Sequence, residues 1–158
     1  SSRVSGSSVV EDLMIHDFDI MRNVLLPDGA CRLSGSGNQD VCSALFSFGE
    51  TPVYLSASRK SSKKIRMIYI EEEGFTIEGD FMAQEIYIHR KPGRYAVEDE
   101  RYVQENIIEK VLVNKQEPLK LELSTFLDCV TQEREFPVSP AQALLNMEIC
   151  EEIARCFA

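Results

Sequence analysis

The sequence predicts an α+β fold, an open, largely antiparallel mixed sheet with helices on one face. Three observations carry that expectation. A helical apolar pattern opens the chain; short runs rich in Val, Ile, Phe and Tyr, separated by turn residues, fill the stretch from Val41 to about Val113; helical spacing returns after Pro118. The order is helix, strands, helices, and not the alternation that builds a parallel sheet.

The first helix is expected from about Val9 to Leu26. Ser8-Val9-Val10-Glu11 is an S-x-x-E capping box, and Val10, Leu13, Met14, Phe18, Met21, Val24 and Leu25 form one broad apolar arc behind it. Pro27-Asp28-Gly29 supplies breaker chemistry at its end. Strands are expected near 41–48, 53–59, 65–71, 75–81, 85–90 and 102–113, with turns at Gly49-Glu50-Thr51-Pro52, Glu72-Glu73-Gly74 and Lys91-Pro92-Gly93. Within the last run, Val103, Ile107 and Val111 also fit helical spacing. Where strands carry apolar residues in both phases, as in Ile65, Met67 and Tyr69 beside Ile68 and Ile70, a subunit partner would cover the second face.

Pro118 suits the first turn of a second helix, whose Leu119, Leu123, Phe126, Leu127 and Val130 make a stripe expected to pack on the sheet. Ser139-Pro140-Ala141-Gln142 joins an N-cap Ser, a Pro at the first helical position and a Gln at the capping-box position, opening a last helix to about Phe157.

Composition narrows the function classes. The chain has 158 residues, 17 Lys+Arg against 26 Asp+Glu and a formal net charge of −9, which excludes a generic basic nucleic-acid binder. Its 44% hydrophobic content is enough for a core without metal or disulfide staples. No apolar run approaches the ~20 residues of a membrane span. Five scattered cysteines, mostly in apolar runs, read as reduced thiols, so a cytoplasmic setting is expected. With two histidines and no CxxC pair, no metal site is expected.

One constellation could carry chemistry. On the first helix Asp12, His16, Asp19 and Asn23 fall at i, i+4, i+7 and i+11, within a narrow sector opposite the apolar arc. A histidine one turn from a carboxylate has its ring oriented and its imidazolium stabilised, as acid/base chemistry requires. A solvated helix face has the same pattern. Asp17 is different, because it lies inside the apolar arc and reads as a structural acid in need of partners. The Arg59-Lys60 and Lys63-Lys64 pairs read as solvated turn residues, and Gly35-Ser36-Gly37 lacks the strand-before, helix-after context of a dinucleotide loop.

The stretch Glu11-Asp12-Leu13-Met14-Ile15-His16-Asp17-Phe18-Asp19-Ile20 resembles the helix motif of the Gfo/Idh/MocA family, oxidoreductases typified by glucose-fructose oxidoreductase and inositol dehydrogenase. Downstream, Gly74-Phe75-Thr76-Ile77-Glu78-Gly79-Asp80-Phe81 resembles the family's G-x-I-x-x-D strand pair. Residues Glu117 to Cys129, then Val138-Ser139-Pro140 and Ala143-Leu144, resemble its C-terminal pair of helices. The likeness covers nearly all of this chain but only the second half of the family's. Members also carry an N-terminal Rossmann domain with a glycine-rich dinucleotide loop and a Glu-Lys-Pro motif whose Lys is catalytic. Neither is present here, and Arg90-Lys91-Pro92, in a sheet turn, is no substitute.

The resemblance implies that residues 1–158 are a single substrate-binding and oligomerisation domain, a fragment of a longer two-domain chain. The full-length protein would be an NAD(P)-dependent dehydrogenase of sugar metabolism, transferring hydride between a sugar, sugar-nucleotide or cyclitol hydroxyl and nicotinamide. NAD or NADP would be bound mainly by the missing N-terminal domain, with no cofactor-binding residue in this chain, so the fragment alone would be inactive. His16 would take the substrate hydroxyl proton, and Asp12 would bind a substrate hydroxyl and tune His16. The expected partners are a carbohydrate-type small molecule and further copies of the chain, as a homodimer or homotetramer through the sheet face, with no nucleic acid and no membrane. The alternative is a non-catalytic assembly module that dimerises through the same face.

Overall fold

The computed structural model describes residues 6–26, 31–93, 95–98 and 101–157. The fold is α+β, and every strand pair among the described residues is antiparallel. The chain forms two compact units, Ser1–Ser62 with Cys129–Ala158, and Lys63–Asp128.

In the first unit, helix α1 runs over residues 10–25 and its winding changes twice. Val10–Met14 and Met21–Leu25 are π-wound, with α-helical Ile15–Ile20 between them. The expected capping box forms: Ser8 N donates to Glu11 Oε2 at 2.8 Å, and Glu11 N donates to Ser8 Oγ at 3.4 Å. Val10, Met14, Phe18 and Met21 are buried as the arc predicts, but Val24 and Leu25 are 69% and 42% exposed. π winding puts more residues into each turn, so the last two arc positions rotate away from the core. The expected Pro27-Asp28-Gly29 stop lies outside the described residues.

Strands β1 (Cys31–Gly37), β2 (Val41–Phe48) and β3 (Thr51–Ser58) form an antiparallel sheet in that order. β2 alternates as a half-buried strand should: Cys42, Ala44, Phe46 and Phe48 enter the core, while Leu45 on the other face is 47% exposed. Phe46 packs on Phe18 of α1, with ring centroids 5.6 Å apart. The edge strand β3 carries Pro52, which the interior of a sheet would not tolerate. β1 was not expected from the sequence. Only Leu33 gives it an apolar signal, and Gly35 sits where a Cβ would be 3.5 Å from Cys156 Cβ and 3.7 Å from Ile153 Cγ2.

Those two residues belong to the C-terminal helical region. Helix α2 spans Pro118–Thr131 and α3 spans Pro140–Arg155. The α3 capping box forms as predicted, with Ser139 N donating to Gln142 Oε1 at 2.8 Å and Gln142 N donating to Ser139 Oγ at 3.2 Å. Cys150 and Ile153 of α3 close the core against α1 and β2. Helices thus cover one face of this sheet, as the fold class requires. The α2 stripe differs from expectation: Leu119, Leu123, Phe126, Leu127 and Val130 are each more than half exposed, and Cys129 is its buried residue.

The second unit is a four-stranded sheet in the order β4 (Met67–Glu72), β5 (Phe75–Asp80), β6 (Glu85–Arg90), β9 (Ile107–Val111). A separate two-stranded ribbon joins β7 (Tyr95–Glu98) to β8 (Arg101–Gln104). The expected single strand 102–113 is therefore two, split at residues 105–106, since its halves pair with different partners. Register aligns Ile68–Gly79–Ile86–Val111 and Ile70–Ile77–Ile88–Glu109 on one face, while Tyr69–Glu78–Tyr87–Lys110 faces the other way. Gly79 is required inside the first row, because a Cβ there would come within 2.8 Å of Ile68 Cγ2.

Candidate functional site

Helix α1 presents the predicted polar stripe, and the first unit ties it down at two points. Asp12 stands in the first π-wound stretch and His16 just beyond it, in the α-helical one. π-wound segments concentrate at functional sites, since the altered winding re-aims side chains.

At the lower tie, Arg59 follows directly after β3 and donates from Nε and Nη2 to Asp12 Oδ2, at 3.2 and 3.0 Å. The same guanidinium donates to the carbonyls of Ser7 at 2.8 Å and Ser8 at 3.1 Å. Its side chain is 15% exposed against 48% for Asp12. Arg59 is therefore a clamp on the start of α1 and not the solvated turn residue that its sequence context suggested. The planar fork suits this task, reaching a carboxylate and two carbonyls at once.

At the upper tie, Asp19 Oδ1 accepts from Asn23 Nδ2 at 2.7 Å and from Asn146 Nδ2, on α3, at 2.6 Å. Asn146 is 4% exposed, and no donor among the described residues reaches its Oδ1. Leaving such a buried acceptor unmet costs about 1–3 kcal/mol. Sequence reasoning passed over Asn146, although a signal was there. Asn146, Cys150 and Ile153 fall at i, i+4 and i+7, so a polar residue stands in a core stripe.

His16 lies between the two ties and is exposed. Among the described residues it makes no hydrogen bond, and Asp12 bonds to Arg59 and not to His16. The structure places Asp12 and His16 on one helix face, with the histidine free to meet a ligand. Asp17 is half-buried, in keeping with its place on the apolar side.

The stripe is a face and not a pocket. A groove of about 290 Å³ lies near the start of α1, lined by Ser8, Gly37, Asn38, Gln39, Ala154 and Phe157, and a concavity of about 330 Å³ in the second unit includes Phe75, His89 and Arg90. Neither is lined by Asp12 or His16. Gly37 serves packing, since a Cβ there would clash with the Val41 carbonyl oxygen, whereas one on Gly35 would meet only ordinary contacts. Both glycines sit in a strand, and phosphate cradling needs a loop opening a helix.

The thiols of Cys42, Cys129, Cys150 and Cys156 are free. Burial, and then the charge of Glu11, pushes Cys150 up to about 11, which keeps it unreactive. Among the described residues no helix is long and apolar enough to cross a membrane, and no group of three His, Cys, Asp or Glu side chains is placed to hold a metal.

No protein-family model matches the chain, and no curated protein matches it by sequence. Solved structures do. UDP-N-acetylglucosamine 3-dehydrogenase GnnA from Acidithiobacillus ferrooxidans superposes with a TM-score of 0.76 at 20% identity, over 99% of this chain and 49% of that one. yvaA from Bacillus subtilis, described as an oxidoreductase with no stated substrate, gives 0.69 at 10% identity, over 98% and 50%. The YPO2259 oxidoreductase from Yersinia pestis gives 0.64 at 11% identity, over 99% and 49%. This chain thus spans about half the length of these similar structures and shares the fold of that half.

Proposed function

We propose that this chain is the C-terminal, substrate-facing half of a Gfo/Idh/MocA-type NAD(P)-dependent dehydrogenase acting on a sugar, sugar-nucleotide or cyclitol hydroxyl. The observation that carries the reading is the exposed His16, held on one helix face between an Asp12–Arg59 ion pair and an Asp19–Asn146 link. A buffered surface helix does not need two long-range polar ties flanking a free imidazole. The resemblance of residues 11–20 to the family's helix motif, and the likeness of fold to three oxidoreductases, support the same reading.

Bound NAD or NADP would supply the hydride acceptor, and the described residues contain no dinucleotide loop, so the other half of the chain would hold it. Within this chain, His16 would accept the substrate hydroxyl proton on its free ring nitrogen. Arg59 would hold the first turn of α1 and fix Asp12 Oδ2, leaving Oδ1 to accept from a neighbouring substrate hydroxyl. The reacting carbon must then sit over the His16 turn of the helix.

The apolar row Ile68, Ile86, Val111, Ile70, Ile77 and Ile88 on the four-stranded sheet supports assembly into a homodimer or homotetramer through that face. Sedimentation of an Ile86→Asp variant of the complete protein tests this, and unchanged mass would rule the face out. If the protein assembles through that face yet reduces no cofactor, the non-catalytic assembly module is the correct reading instead.

The decisive assay records absorbance of reduced nicotinamide for the complete protein with NAD or NADP and a panel of sugars, sugar nucleotides and inositols. Reduction that falls at least about 100-fold in His16→Ala, with fold and assembly intact, supports the proposal. Equal rates in both proteins sink the role of His16.

A further inference from the structure

His16 has a carboxylate one turn away on either side, and among the described residues neither is paired with it. Asp19 stands three residues on, in the same α-helical stretch Ile15–Ile20, a spacing that brings Cβ atoms to about 5–6 Å. A loose Asp19 would pair with the imidazolium, occupying the ring and holding its proton. Asp19 is instead engaged elsewhere, its Oδ1 accepting from Asn146 Nδ2 at 2.6 Å and from Asn23 Nδ2 at 2.7 Å. Asn23 rides on the same helix and can follow Asp19 wherever it turns, so Asn146, on α3, is the anchor. That anchor is kept against the preference of the core: Asn146 is 4% exposed, and its Oδ1 meets no donor among the described residues. An apolar residue in its stripe would leave no such acceptor, and it would release Asp19.

We infer that Asn146 is a positioning residue for His16: it holds the Asp19 carboxylate off the imidazole and keeps the ring open to the ligand. This rests on the reading of His16 as the proton acceptor. Asp12, on the other side, is held by Arg59. The remaining charged groups on α1 are otherwise placed. Glu11 is bound to Ser8 in the capping box, Asp17 is half-buried on the apolar side, and Arg22, at i+6, lies off the stripe. From α3 the residues facing α1 are Asn146, Cys150 and Ile153, and Cys150, pushed up to about 11, is uncharged. Glu148, Glu151 and Glu152 are exposed and off that stripe. From the sheet, Tyr54 lies on the outer face with Leu45. Asn146 itself carries no charge, so replacing it moves the proton equilibrium of His16 chiefly through Asp19.

The test follows the rate at which diethyl pyrocarbonate modifies His16 in the complete protein as pH is varied, read by mass spectrometry of the His16 peptide, since only the unprotonated ring reacts. In Asn146→Leu, which keeps the volume and removes the donor, Asp19 turns to His16 and the midpoint of that profile moves up by about 0.3 units relative to wild type. Cofactor reduction below the midpoint falls about two-fold and recovers at high pH. In Asn146→Leu/Asp19→Asn the midpoint matches that of Asp19→Asn alone, because no carboxylate is left to pair with the ring. A link that merely joined two helices would lower stability and leave the midpoint where it is. Asn146→Ser, whose hydroxyl is too short to reach Asp19, takes the place of the leucine variant if that one fails to fold. An unchanged midpoint in the folded variant, or a shift that survives Asp19→Asn, overturns the inference. The modification needs neither substrate nor cofactor, so the two readings fail separately. An unmoved midpoint with reduction still dependent on His16 leaves the dehydrogenase standing. A shifted midpoint in a protein that reduces no cofactor upholds the hold on Asp19 and overturns the dehydrogenase.

Discussion

Replacing Arg59 by Met, which keeps the aliphatic stem and deletes the guanidinium, should destabilise the protein by about 2–3 kcal/mol. The sum starts from the bonds lost. Two donations go to Asp12 Oδ2 and one each to the carbonyls of Ser7 and Ser8. The ion pair is discounted to about 1 kcal/mol or less, because the Asp12 side chain is 48% exposed and screened by solvent. The two bonds to backbone carbonyls, made by a head group 15% exposed, add about 1 kcal/mol each. For a chain of this length that corresponds to a drop in Tm of about 5–10 °C, read by calorimetry or by the urea midpoint. Arg59→Lys should recover less than half, since an ammonium cannot span a carboxylate and two carbonyls. Lys60→Ala is the control, because the Lys60–Asp40 pair is exposed on both sides at 66% and 46% and should cost less than about 0.5 kcal/mol. If Arg59→Met loses no more than Lys60→Ala, the clamp is not what holds the start of α1.

Other consequences can be measured directly. Gly79→Val should cost about 1–3 kcal/mol in urea unfolding, because the new Cβ would meet Ile68 Cγ2 at 2.8 Å in a paired row. Ser139→Ala should cost about 1 kcal/mol by removing the acceptor for Gln142 N at the start of α3. The Glu85 carboxyl should titrate at about 2 in carboxyl-detected NMR, held down first by the Lys110 hydrogen bond and then by that from Tyr87. Its folded value lies below its ordinary 4.5, so the stability it contributes is present above that value and is lost as pH falls toward 2. Lys110→Ala should return the titration toward 4.5.

What the sequence could reveal depended on how local the cause was. Both capping boxes, at Ser8/Glu11 and Ser139/Gln142, formed where the spacing placed them, since the partners lie three residues apart. The alternation of β2 and the helical arcs of α1 and α3 were legible for the same reason. β1 was not, because its apolar signal is one leucine and its strand form comes from pairing along its whole length with β2. The split of 102–113 followed from partner choice, and residues on both sides of the break look alike in sequence. The polar stripe was visible as spacing, yet its two ties were not: Arg59 reaches back 47 residues to Asp12, and Asn146 reaches back 127 to Asp19. The change to π winding, which turns Val24 and Leu25 outward, also left no local mark. The α2 stripe, expected from its helical spacing to pack on the sheet, is more than half exposed at all five positions, because spacing reveals an apolar face and not what that face meets.

The central claim is that an alcohol passes its hydride to nicotinamide while His16 takes the hydroxyl proton. The most direct measurement mixes the complete protein with NAD or NADP and sugars or inositols carrying deuterium on the carbinol carbons, and follows label on the nicotinamide ring by NMR. The account predicts deuterium on the reduced ring for at least one compound, with a rate lower by about 10²–10⁴ in His16→Ala while the ligand still binds. Absence of label with every compound, or label arriving at the same rate in the variant, would contradict it.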